Sequence, residues 1–104
     1  MIIVLGQFEM AAGHRDEFMR EVADLTRSSR SEPGCLEYAF LTDPIDPHRV
    51  ILIERWTSED MFNVHLEAVG ETAAGLPFND VYAASGWTVR YRVIGNSPPR
   101  PFDA

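Results

Sequence analysis

Glu54, Trp56 and His65 are the residues of this chain whose types and spacing best suit chemistry. Glu54 and Trp56 lie two apart at the end of an apolar run, Val50-Ile51-Leu52-Ile53, so on a strand both project from one face. Thr57-Ser58 then turns the chain into an amphipathic segment that carries His65. A strand that turns back as a helix tends to lay that helix on one face of its own sheet. With Glu54 and Trp56 facing that helix, a carboxylate, an indole N–H and an imidazole converge under an apolar roof. An imidazole, with an ordinary pKa of about 6.5, suits a general base at neutral pH. A carboxylate beside it orients the ring and raises its basicity. The indole offers an N–H donor and an aromatic wall for a planar ligand. The same spacing also fits a structural His65–Glu54 pair that stitches helix to sheet, and a Trp56 that is simply core.

The elements that must position these residues follow from periodicity. Ile2 to Met10 is apolar and β-branched at first and reads as a strand. Ala11-Ala12-Gly13-His14 breaks it. From Arg15 to about Ser31 the pattern is helical, with Phe18, Val22, Leu25 and Ser29 on one face. Glu32-Pro33-Gly34 ends that helix, because Pro disfavours helix at the residue before it and Gly permits a sharp turn. Cys35 to Thr42 is a second strand, and alternation puts Leu36, Tyr38 and Phe40 on one face and Cys35, Glu37, Ala39 and Leu41 on the other. Asp43-Pro44-Ile45-Asp46-Pro47 is a turn. Arg49 to Trp56 is then the antiparallel partner of the second strand. Thr57 or Ser58 caps a helix running to about Val69, with Glu59 and Asp60 in its first turn. Glu71 to Val81 reads as a loop with one irregular helical turn, and Gly86 to Ile94 as the last strand.

The order β-α-β-β-α-β is that of the ferredoxin-like α+β fold, an antiparallel sheet with both helices on one face. Residues 1–95 form this single domain, followed by a Pro-rich tail over 96–104 that is not regular structure. Helices on one face leave the other bare, and its candidates, Ile51 and Ile53 with part of the first strand, are apolar. A second copy's sheet covers such a surface in an isologous contact, so a homodimer with sheets face to face is expected. Trp87, Tyr91 and the Arg90 to Arg92 stretch are assigned to the sheet and this contact.

Composition excludes several classes. The chain has 104 residues, 45% hydrophobic and 24% charged, which fits one globular domain. Its net charge is −7 and all nine basic residues are Arg, a poor match for nucleic acid or an anionic membrane surface. No apolar run approaches the roughly 18–20 residues of a spanning helix. The start, Met1-Ile2-Ile3-Val4-Leu5, lacks a basic n-region and reads as a strand. Cys35 is alone, so no internal disulfide forms, and a cytoplasmic location is the default. Cys35 itself reads as a small buried filler, and His14 and His48 as solvated loop residues. Three scattered histidines have no metal-ligand spacing, and no Gly-rich phosphate loop is present.

Three segments together resemble a known family: Gly13-His14-Arg15-Asp16-Glu17-Phe18, Glu32-Pro33-Gly34-Cys35-Leu36-Glu37-Tyr38, and Glu54-Arg55-Trp56 followed by His65. In that order the chain resembles the antibiotic biosynthesis monooxygenase family of small dimeric α/β barrels, including its quinol monooxygenase type, over about positions 2–94. The resemblance implies oxygen insertion into an electron-rich aromatic substrate, a quinol or polycyclic phenol, with O₂ and without metal or flavin. Such a site needs a dry apolar pocket, a base, and donors for the developing oxyanion. His65 is then the expected base, Glu54 its orienting carboxylate and Trp56 the donor and wall. Tyr38, Phe40, Met61 and Phe78 are the expected lining. A different class is also open, a non-catalytic dimeric barrel that binds a small hydrophobic molecule. Haem degradation, performed by some similar barrels, uses a first-strand Asn with a Trp and a haem-ligating His. Here Ile2 to Met10 has Gln7 and no Asn, which argues against it.

Overall fold

The computed structural model describes residues 1–69 and 83–95. Within them the elements are β1 (Ile2–Met10), α1 (Arg15–Arg30), β2 (Cys35–Thr42), β3 (Arg49–Trp56), α2 (Glu59–Val69) and β4 (Ala83–Arg92). The loop expected over 71–81, the lining residue Phe78 within it, and the tail over 96–104 lie outside the described residues. The strands form one antiparallel sheet in the order β2-β3-β1-β4, so β1 and β3 are central, as in the ferredoxin-like α+β fold.

Period-2 alternation builds the core. Ile2, Val4, Phe8 and Met10 of β1 are buried on one face, and Val50, Leu52, Glu54 and Trp56 of β3 lie on the same face. Both helices bring their apolar stripes there: α1 contributes Phe18 and Val22, α2 contributes Phe62 and His65. Phe18 meets Phe40 of β2 edge-on, with ring centroids 5.6 Å apart. Burying one such side chain stabilises the fold by about 1.5–3 kcal/mol. Ser58 caps α2, its Oγ accepting the Met61 N–H at 3.2 Å.

Strict alternation fails in β2. Cys35 lies opposite Trp56 while Glu37 lies opposite Arg55, so Leu36 is an extra residue in a β-bulge. The bulge moves Leu36 out to 49% exposure and brings Cys35 to the helix side with Tyr38 and Phe40. The last strand also begins earlier than its apolar pattern suggests, at Ala83, and ends at Arg92. Glycine suits position 86, because a Cβ there would collide with the Phe8 ring on the neighbouring strand.

The opposite sheet face has no cover among the described residues. Leu5 lies between Ile53 and Val89, Ile3 faces Tyr91, and Gln7 lies between Ile51 and Trp87. Leu41, Trp87, Val89 and Tyr91 are exposed there. Arg90 and Arg92 are not part of this face. They alternate to the helix side, where both guanidinium groups reach Glu59 in the first turn of α2, at 3.2 and 2.9 Å. No described helix is long and apolar enough to cross a membrane.

Candidate active site

The end of β3 and the middle of α2 bring three side chains together. The Trp56 indole N–H donates to Glu54 Oε1 at 3.1 Å. His65 Nε2 lies 3.5 Å from the same oxygen, beyond ordinary hydrogen-bond length. The other ring nitrogen, Nδ1, lies 2.6 Å from Glu32 Oε2. Glu54, Trp56 and His65 are all buried, at 5%, 0% and 3% exposure. Aromatic rings enclose the imidazole: Trp56 at 4.7 Å between centroids, Tyr38 at 5.4 Å, and Phe62 stacked at 6.2 Å.

Burial dominates the electrostatics. It pushes the Glu54 carboxyl above the usual carboxylate range, the Glu32 charge adds to this, and His65 and the Trp56 N–H oppose it. The Tyr38 hydroxyl is pushed well above its ordinary value by burial and then by the Glu54 charge, so it stays protonated at neutral pH. Burial, with Glu32 and Glu54, also pushes the Cys35 thiol up, which works against its thiolate form.

Of the expected lining residues, Tyr38 reaches the site through its contact with His65. Phe40 is turned toward α1, packs on Phe18, and borders a hollow of about 230 Å³ with Met19, Val22 and Arg30. Met61 packs against the core beside Gly34. The indole N–H, expected for a substrate oxyanion, is donated instead to Glu54. Sequence reasoning missed three residues. Phe62 lies three positions before His65 on the same helical stripe, a spacing that signals it. Arg90 sits with its guanidinium 4.6 Å over the Phe62 ring, on the helix side and not in the expected subunit contact. Glu32 stands in the sequence as part of a helix stop and of a segment shared with the resembled family, with nothing in either to tie it to His65.

The donors present do not suit haem. Both His65 nitrogens face carboxylates, and Gln7 projects from the opposite sheet face with Ile51 and Trp87. Among the described residues no group of three or more His, Cys, Asp or Glu is arranged to hold a metal ion.

Comparison with known proteins adds the family. Residues 1–71 match the family model described as antibiotic biosynthesis monooxygenase. An uncharacterised protein of Synechocystis is 27% identical over 66 residues, 64% of this chain and 45% of that protein, so the match spans less than half of that relative's length. A Deinococcus radiodurans structure, named as a candidate antibiotic biosynthesis monooxygenase, superposes with a TM-score of 0.82 at 19% identity, covering 97% of this chain and 100% of that one. A Pseudomonas aeruginosa structure gives 0.75 at 22% identity, covering 90% and 94%. At these identities the structures speak for the fold alone.

Proposed function

The chain belongs to the antibiotic biosynthesis monooxygenase family, and on that premise we propose that it inserts oxygen from O₂ into an electron-rich aromatic substrate, a quinol or polycyclic phenol. Ground-state O₂ is a triplet and reacts slowly with closed-shell molecules. A phenolate can pass one electron to it, so deprotonation is the step a protein without a redox cofactor has to promote. His65 Nε2 is the base in this reading, and Glu32, 2.6 Å from Nδ1, keeps the ring oriented. Trp56 and Phe62 supply flat apolar walls that exclude water. The observation that carries the proposal is the meeting of the Glu54 carboxylate, the Trp56 N–H and the His65 imidazole in a site nearly closed to solvent. A correctly placed base contributes roughly 10²–10⁴-fold to such a rate.

The working form in this proposal is a homodimer whose bare sheet faces cover one another. The uncovered stretch of Ile3, Leu5, Ile51, Ile53, Trp87, Val89 and Tyr91 supports it. The lone Cys35 thiol supports a cytoplasmic setting. The near-complete burial of His65 favours a second reading, a barrel that binds a hydrophobic molecule without converting it. Incubation of metal- and flavin-free protein with hydroquinones and anthrones under ¹⁸O₂ separates the two. One labelled oxygen in the product, and faster uptake than without protein, supports the monooxygenase. Binding without label incorporation supports the second reading.

A further inference from the structure

We propose that Glu32 is the solvent-side end of a proton relay in which His65 passes protons between the buried Glu54 edge of the site and the surface. The role assigned to it in turnover rests on the monooxygenase reading above. The geometry is a carboxylate on each nitrogen of one imidazole: Glu54 Oε1 at 3.5 Å from Nε2 and Glu32 Oε2 at 2.6 Å from Nδ1. The His65 and Glu54 side chains are 3% and 6% exposed, whereas Glu32 reaches 21%. An imidazole so placed takes a proton on one nitrogen and releases one from the other.

The position of Glu32 is built into the fold. Its N–H donates to Ser29 O at 3.1 Å, and its carbonyl accepts the Cys35 N–H at 3.2 Å. The neighbouring Gly34 carbonyl accepts the Thr57 N–H at 2.9 Å, which ties this turn to the start of the helix that carries His65. Gly34 has φ +83°, and a Cβ there would stand 2.6 Å from Met61 Cγ. The turn and α2 therefore hold one fixed spacing, and with it the Glu32–His65 contact.

The other titratable and charged groups around His65 serve less well as an exit. Tyr38 is 2% exposed and held protonated, and Cys35 is likewise held as a thiol. Arg90 meets the Phe62 ring and Glu59. Arg30 donates to the Tyr38 carbonyl at 2.8 Å. Among the described groups Glu32 is the proton acceptor that both touches the imidazole and reaches water.

The proton and electron count closes. The phenolic O–H bond breaks, its electron pair stays on oxygen, and the phenolate passes an electron to O₂, the co-substrate. The proton bonds to His65 Nε2 while the Nδ1–H proton moves to Glu32 Oε2. The substrate supplies all four electrons that O₂ takes up, two with the new C–O bond and two, together with two substrate hydrogens, for the second oxygen atom, which leaves as water, so AH₂ and O₂ give AO and H₂O with no net proton yield. The same path in reverse therefore returns a proton to the reduced oxygen when the O–O bond breaks.

The test uses Glu32→Gln, which can still accept the Nδ1–H but takes no proton, and Glu32→Asp, which can. Without any substrate, nitrogen-15 NMR follows proton exchange at His65. The relay predicts slower exchange in Glu32→Gln, recovered in Glu32→Asp and by added imidazole buffer; equal exchange in wild type and Glu32→Gln overturns it. With an active substrate, Glu32→Gln lowers kcat about tenfold or more with KM unchanged, and imidazole buffer restores it. An unchanged kcat, or a loss that buffer does not restore, overturns the role in turnover. Absence of uptake by the wild type refutes the monooxygenase reading, and the exchange measurement still decides the relay.

Discussion

Trp56 and Glu54, two residues apart on one strand, are joined side chain to side chain: the indole N–H donates to the carboxylate at 3.1 Å in a buried setting. This bond fixes which way the carboxylate faces, and so which oxygen His65 meets. Trp56→Phe keeps an aromatic wall and removes the donor. The orphaned carboxylate costs about 1–3 kcal/mol of stability at neutral pH, and the smaller ring adds a packing loss. The Glu54 pKa moves further up, because the lost donor had favoured its charged form. Urea unfolding and a carbon-13 titration of Glu54 check both effects.

Glu54 also makes stability depend on pH. Its folded pKa is raised above the ordinary 4.5, mainly by burial, so the folded state holds the proton more tightly than the unfolded chain. Its contribution is fully present below the ordinary value and is lost as pH climbs through the raised one. Glu54→Gln removes this dependence. Urea unfolding across that range should show the variant gaining on the wild type as pH rises. A constant difference contradicts the burial argument.

Gly34→Ala tests the turn that positions Glu32. The left-handed backbone alone costs about 1–3 kcal/mol, and the new methyl collides with Met61 and with Thr57 Oγ1. A lower unfolding midpoint is expected, together with a changed His65 Nδ1 environment by NMR. A stability equal to wild type means the turn relaxes freely and does not hold the spacing.

The bare sheet face predicts self-association. Ile53 lies between Leu5 and Ala39 in its middle. Ile53→Asp places a charge where a second sheet would pack, and unpaired burial of a charge is costly. Sedimentation should give a dimer for the wild type and a monomer for the variant. A monomeric wild type contradicts the face-to-face arrangement.

Much of this architecture could be read from alternation and punctuation. Period two alone puts Glu54 and Trp56 on one face, and Ser58-Glu59-Asp60 announces the helix that returns His65 to them. Glu32 was not legible as a partner of His65, because a contact between residues 33 positions apart leaves no local pattern. The bulge at Leu36 hid in an unbroken apolar alternation, and only the pairing of Cys35 with Trp56 exposes it. Arg90 and Arg92 do not share the outer face with Trp87 and Tyr91, because alternation sends them to the other side, toward Glu59.

His65 deprotonates the substrate in the proposed reaction. The most direct test of this role is the initial rate of oxygen consumption with the most reactive quinol, for wild type and His65→Ala, after circular dichroism shows both folded. A fall of roughly 10²-fold or more is expected in the variant. Equal rates in the two folded proteins would contradict it.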